Sequence, residues 1–175
     1  MKNAVPGVER STDATFDPAS DPRAFREALG QFATGVTVVT AQSEIGPLGI
    51  TANSFASVSL DPPLVLWSPG RFSKRFDAFC TADHYAIHVL GQNQARIGAG
   101  FSRNGSEFSV ADWSLSPENV PVLKGCLARF ECRLVAVHEG GDHAIVVGEV
   151  LRAQTGSGAP LVFAQGVYGN FSPVR

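Results

Sequence analysis

Two consecutive prolines at Asp61-Pro62-Pro63 divide the most patterned stretch of the chain, Gly49 to Arg75, and dictate how it runs. Proline fixes φ and pushes the preceding residue out of the helical region, so the chain must turn or extend there. Before the prolines, small hydroxyl and amide side chains (Thr51, Asn53, Ser54, Ser57, Ser59) alternate or run together with Phe55, Val58 and Leu60. That is the pattern of a strand with one apolar and one polar face. After them, Leu64-Val-Leu-Trp67 reads as a second, more buried strand. It leads into the loop Ser68-Pro69-Gly70-Arg71-Phe72, with Ser73 placed to cap a short helix. Hydroxyls and backbone N–H groups thus stand beside Arg71, Lys74 and Arg75, a surface suited to a phosphate-bearing ligand with a flat apolar part. A barrel strand with one solvated face would carry the same residues, and residue types alone leave both readings open.

The flanking segments are also rich in strand signals. Residues 1–20 lack periodicity and read as a mobile tail, followed by one domain over 21–175. Asp21-Pro22 reads as a helix N-cap with proline in the first turn. Phe25, Ala28, Leu29 and Phe32 then fall on one helical face, ending near Gly35. Val36–Thr40 is a β-branched strand, and a turn at Ser43–Pro47 returns it. Short helices are expected at Ser73–Cys80 and Gln92–Phe101, with a strand at His84–Leu90 between them. Residues Ser102–Pro121 read as an irregular loop. Cys126–Val137 alternates apolar and charged residues, the mark of an antiparallel strand with one wet face. The hairpin His138-Glu-Gly-Gly-Asp142 returns it into Ala144–Leu151, and Leu161-Val-Phe163 closes the series. Many short strands with few helices point to a closed, mainly β barrel.

Several function classes fall away. At 175 residues the chain is one domain's worth, and 44% hydrophobic with 17% charged residues fits a globular protein. Net charge is −2 and the basic residues are scattered outside Arg71–Arg75, which does not fit nucleic-acid binding. No apolar run suits a membrane span and no secretory signal opens the chain, so a cytoplasmic location is expected. Cys80, Cys126 and Cys132 are unpatterned. There is no Walker A motif, no Gly-x-Ser-x-Gly, and Gly98-Ala-Gly100 comes late in a helix. His84 and His88 share a strand face, but a catalytic zinc normally takes three protein ligands, so no metal is expected. His143, delivered by the hairpin with Asp142 beside it, could hydrogen-bond a carboxamide or phosphate, although spacing alone favours a turn residue without a ligand. Tyr168 could stack on a ring or simply close the barrel.

Set in order, these segments resemble the short-chain flavin reductases that serve two-component flavin-dependent monooxygenases. The residues that carry the likeness are Leu29-Gly-Gln-Phe-Ala-Thr-Gly-Val-Thr-Val-Val-Thr40, Thr51-Ala-Asn-Ser-Phe55, Ser57-Val-Ser-Leu-Asp-Pro-Pro-Leu-Val-Leu66, Gly141-Asp-His143 and Leu161 through Gly169. The resemblance spans roughly 22–170 and implies an FMN-binding split β-barrel, antiparallel and of Greek-key type, with a few short helices. It implies a homodimer that uses NADH (or NADPH) to reduce FMN or FAD and hands the product to a separate oxygenase. Carried over by position, Gly49, Ile50, Thr51, Asn53 and Ser54 contact the flavin. Ser68, Pro69, Gly70, Arg71, Phe72, Ser73, Lys74 and Arg75 wrap the ribityl-phosphate end. Ser102, Arg103 and Phe108 belong to a further binding loop, and His143 and Tyr168 lie on the nicotinamide side.

Two positions depart from the family pattern. His88 replaces the usual Asn of Asn-Val-Leu, altering a polar contact. Glu107 replaces the lysine of Asp-Lys-Phe, which leaves Arg103, Lys74 and Arg75 as the main phosphate cations. Hydride transfer between two flat rings needs no protein nucleophile, so the expected work of the chain is stacking, orientation and exclusion of water. No catalytic side chain is therefore assigned. Two other readings of the same barrel are a flavoprotein oxidase with tightly held FMN and a non-catalytic carrier of flavin or another planar ligand.

Overall fold

The computed structural model describes residues 15–174. Its elements are α1 (Pro22–Leu29), β1 (Thr34–Gly35), β2 (Thr37–Ser43), β3 (Gly46–Ala52), β4 (Ala56–Leu60), β5 (Pro63–Trp67), α2 (Phe76–Thr81) and β6 (His84–Val89). A 3₁₀ turn then leads into α3 (Ala95–Arg103), followed by β7 (Trp113–Leu115), β8 (Pro121–Leu123), β9 (Ala128–Gly140), β10 (His143–Thr155), β11 (Leu161–Ala164) and β12 (Val167–Asn170). Seven strands form one antiparallel sheet in the order β3-β2-β6-β9-β10-β5-β4. Smaller sheets pair β1-β11-β12 and β7-β8.

That strand order curls the sheet. β3 and β4 stand at its two ends, yet only Asn53–Phe55 connects them. Fully extended, this link reaches about 15 Å, whereas the two ends of a flat seven-strand sheet would lie about 29 Å apart. The sheet therefore rolls up. Phe55 in the link stacks on Phe130 of β9, 5.5 Å between ring centroids, which places the link over the sheet's inner face. No ladder joins β3 to β4 among the described residues, so the closed barrel expected from strand count is corrected to a split one.

Inside the roll, Val39, Ala41, Val65, Trp67, Phe79, Tyr85, Ile87, Cys132 and Val146 form the main core. The outer face of β2 and β6 is also covered. Val38 packs with Ile97 and Phe101 of α3, and Ala86 packs with Val120 and Val122 before and within β8. This two-sided burial explains why β2 is apolar or hydroxyl-bearing at nearly every position.

Most local expectations hold. Asp21 caps α1, its carboxylate accepting from the Ala24 N–H at 2.9 Å. The proline pair turns β4 into β5, with a cis bond at Asp61-Pro62. Others shift. The polar run from Thr51 breaks at Asn53 and does not continue as one strand. Residues 102–121, expected to be irregular, contain the end of α3, a 3₁₀ turn and β7. α2 begins at Phe76, while Ser73 closes a tighter turn, its Oγ accepting from the Arg75 N–H. Of the expected tail, residues 1–14 lie outside the described residues. Residues 17–20 form a turn on Asp17, whose carbonyl accepts from the Ser20 and Asp21 N–H groups.

His88 is a core residue. It is fully buried on β6, with the Leu123 N–H donating to its Nε2 at 3.0 Å and Nδ1 lying 3.0 Å from the Val38 carbonyl. Those two backbone groups specify the neutral Nδ1–H tautomer, because Nε2 must accept. Burial pushes its pKa from 6.5 down to about 4. The unfolded chain thus binds this proton at a higher pH than the native one. Stability present above pH 6.5 is lost as pH falls towards 4, by about 3 kcal/mol. We expect the melting temperature to drop across this window and His88→Asn to flatten the drop, being less stable at pH 7 but less acid-sensitive. A wild-type melting temperature unchanged between pH 7 and 4.5 would contradict this account.

Candidate functional site

The site grows from the way α3 lies on β3. A Cβ at Gly49 would stand 2.5 Å from Cδ1 of the buried Phe101 ring, so only glycine lets the helix approach this closely. One residue on, Ile50 turns inward and packs against the main core. Thr51 points back to the helix and donates its hydroxyl to the Gly98 carbonyl at 2.6 Å. Below this seam, Arg75 donates to the carbonyls of Gly49 (3.0 Å), Phe101 (2.6 Å) and Ser102 (3.2 Å). Burial lowers its pKa, but a guanidinium stays charged at any ordinary pH. Arg75 is thus a brace between β3 and the end of α3, where the helix carbonyls favour a cation.

The link Asn53–Phe55 is tied to the opposite edge of the roll. The Ser54 hydroxyl accepts from the Ser68 N–H at 2.9 Å and lies 3.2 Å from the Ser68 carbonyl. From Ser68 the chain passes the β10 start. The Ala144 N–H donates to the Pro69 carbonyl and Gly70 pairs with His143 across an isolated bridge. The Arg71 N–H donates to the Asp142 carbonyl at 2.9 Å. His143 Nε2 lies 3.4 Å from where a Cβ on Gly70 would stand, while Nδ1 is 2.8 Å from Asp142 Oδ1. The bond from His143 holds the Asp142 carboxyl below its usual pKa. The imidazole is therefore anchored at one nitrogen, and the other faces the loop.

A groove of about 860 Å³ opens beside these segments. The β2–β3 hairpin forms one wall, residues 73–82 the second and residues 103–106 the third. Lys74 and Arg103 are both exposed on it, and neither has a hydrogen bond or ion pair among the described residues. Two unengaged cations facing a groove with hydroxyls from Ser73 and Ser106 suit a phosphate-bearing ligand such as a flavin nucleotide. The residues present therefore fit the group that the resemblance implies.

Other expected contacts go elsewhere. His88 has both nitrogens occupied in the core and no capacity left for a ligand. Phe108 is buried, edge-on to Phe101 at 4.9 Å and next to Trp113. Arg71 pairs with Glu139 and donates Nε to the Gly141 carbonyl, so its charge is taken. Arg75, half-buried at the edge of the groove, gives its donors to three backbone carbonyls, and the Ser102 hydroxyl donates to the Ala99 carbonyl. Tyr168 sits beside the Phe163 ring, with its hydroxyl 3.1 Å from a Cβ built on Gly98. Asn53 and Phe72 are exposed. Sequence reasoning missed Gln42–Leu48 as a wall and Gly105, whose carbonyl accepts from the Gly49 N–H at 2.8 Å. No local pattern announces either, because both arise from packing between distant segments. Cys126 and Cys132, with burial pushing their thiols up to about 11 and about 12, are not nucleophiles at neutral pH.

Comparison with known proteins gives the setting for this geometry. The family model of the flavin reductase like domain matches residues 29–172. The chain is 54% identical over 169 residues to the FMN reductase (NADH) SmoA of Agrobacterium fabrum, covering 96% of this chain and 97% of that protein. It is 40% identical to HsaB, the reductase subunit of a flavin-dependent monooxygenase of Rhodococcus jostii, over 89% of this chain and 80% of the relative. Among solved structures, the NADH:FAD oxidoreductase SgcE6 of Streptomyces globisporus, in complex with NAD and FAD fragments, superposes with a TM-score of 0.85 at 36% identity. The match covers 91% of this chain and 98% of that one. Some other relatives are longer, and the chain spans about half of their length.

The seam between α3 and β3 yields a direct test. Gly49→Ala forces Phe101 to move and should cost about 1–3 kcal/mol in denaturant unfolding. Gly35→Ala, where a Cβ meets nothing within 4 Å, should stay within about 0.5 kcal/mol of wild type. Equal midpoints for the two variants would show that the close approach is not a constraint.

Proposed function

We propose that this chain, which belongs to the family of flavin reductase-like domains, transfers hydride from NADH to FMN or FAD and supplies the reduced flavin to a separate monooxygenase component. Relatives with these activities in their names support the reading. The observation that carries it is the placement of Lys74 and Arg103 on one groove, whose lining residues Arg75 and Gly105 bond the Gly49 main chain behind it.

Bound flavin supplies a ring that accepts hydride, and the protein contributes binding and orientation. Lys74 and Arg103 hold the phosphate. The backbone from Gly49 to Ser54 and from Ser68 to Gly70 lines the ring. His143 offers Nε2, beside Gly70, to the nicotinamide nucleotide, and Asp142 holds the ring there through Nδ1. Tyr168 stands on the nicotinamide side, beside Gly98. None of these groups forms a covalent intermediate; their effect is to bring two flat rings into a reactive approach.

The working unit of this reading is a homodimer in the cytoplasm, built from the domain 21–175. No helix among the described residues is long and apolar enough to cross a membrane. Leu29 and Phe32, with Phe25, form an apolar face that is exposed in the single chain, and Val167 and Phe171 are exposed as well. The Gln165 N–H donates to the Gly30 carbonyl, so the two groups flank one junction. A second copy would cover such a surface. Sedimentation of wild type should report a dimer and Leu29→Asp should shift it towards monomer; a wild-type monomer at micromolar concentration would remove this part.

NADH absorbance with and without added flavin tests the activity. Flavin-stimulated consumption is expected, and flavin binding without consumption would sink the reductase reading. His143→Ala should raise the NADH KM about tenfold while leaving flavin affinity near wild type. Lys74→Ala and Arg103→Ala should each weaken FMN about tenfold or more, in a salt-dependent way, and leave riboflavin, which lacks the phosphate, almost untouched.

A further inference from the structure

Arg71 is the least expected residue of the loop. Its place beside Lys74 suggests a phosphate cation, yet its side chain turns away from the groove and across to the β9–β10 turn. Three of its donors reach that turn: the backbone N–H meets the Asp142 carbonyl at 2.9 Å, Nε meets the Gly141 carbonyl at 3.1 Å, and the outer nitrogen meets the Glu139 carboxylate. The guanidinium carbon also stands over the Phe76 ring, 5.2 Å from its centroid, so the start of α2 supports it from below. Arg71 is thus held by α2 and grips the turn on both sides of Gly141, a glycine at φ +74° that carries no side chain to pack.

From this we infer that Arg71 is a positioning residue for nicotinamide binding: it clamps the 139–142 turn onto the Ser68–Arg71 loop and so places His143 relative to the flavin. The inference rests on the reading of His143 given above. Without the clamp, the turn keeps only the Ala144–Pro69, Arg71–Asp142 and Gly70–His143 backbone contacts at its base. A lysine would retain a charge for Glu139 but lacks the planar fork that reaches Gly141 at the same time. Displacements of about 1 Å at such a site are enough to cost one or two orders of magnitude in productive binding.

The experiment uses the full chain with Arg71→Ala, Arg71→Lys, His143→Ala and the Arg71→Ala/His143→Ala pair. NADH KM and kcat are measured, together with FMN affinity by fluorescence titration. Arg71→Ala should raise the NADH KM about tenfold with FMN affinity within about twofold of wild type, and Arg71→Lys should recover part of the loss. Because Arg71 acts through His143, the double variant should be no worse than His143→Ala alone. An FMN affinity that falls as much as the KM rises would make Arg71 a flavin ligand, and multiplied effects in the double variant would give it a role apart from His143; either overturns the inference. Hydrogen exchange of the 139–144 amides gives a readout independent of NADH. Arg71→Ala should speed it, and unchanged exchange also overturns the clamp. An unaltered KM in His143→Ala would instead remove the nicotinamide reading itself, leaving the clamp to be judged by exchange.

Discussion

Three residues hold this molecule's shape. Asn53–Phe55 must carry the chain from one end of a seven-strand sheet to the other, and so short a link permits only a rolled sheet. The roll is sealed by contacts other than a ladder. Ser54 bonds the main chain of Ser68, and Phe55 stacks on Phe130 across the interior. The link thereby brings the end of β3 beside the loop after β5, which in turn pairs with the start of β10, while the groove bearing Lys74 and Arg103 opens at the β2–β3 hairpin.

The seam also divides the polar residues into two groups. Thr51, Ser54, Arg71 and Arg75 spend their hydrogen bonds on the protein itself, each joining segments far apart in sequence. Lys74, Arg103 and Nε2 of His143 are left for something else. Buried or half-buried polar groups without partners would be costly, so the first group is satisfied by the fold before any ligand arrives. A preformed wall of this kind requires little reorganisation on binding.

Much of this was legible from residue types. The Asp21 cap, the turn at Asp61-Pro62-Pro63 and a hairpin before His143 follow from local rules that need no tertiary knowledge, although the strands run further than read and leave only Gly141-Asp142 between them instead of His138–Asp142. The destinations of long side chains were not legible. Arg71 and Arg75 look alike beside Lys74, and only packing sends one to the β9–β10 turn and the other to the end of α3. His88 read as a contact residue because it stands where the family pattern has the Asn of Asn-Val-Leu. Its backbone partners, Val38 and Leu123, lie 50 and 35 residues away. The break at Asn53 is likewise hidden, because the polar alternation runs straight through it.

The brace made by Arg75 has an electrostatic consequence for the groove. Its donors are committed to backbone carbonyls, so Lys74 and Arg103 are the two cations on the groove whose donors remain for a ligand, with the carboxylates of Glu44 and Asp77 on the same lining. A phosphate monoester brings about two negative charges near neutral pH. The pyrophosphate bridge of a dinucleotide, with one charge on each phosphorus, brings the same number. Balanced against two cations, the mononucleotide and dinucleotide forms are equivalent in charge, and preference between them passes to whatever the hairpin Gln42–Leu48 does with an adenosine.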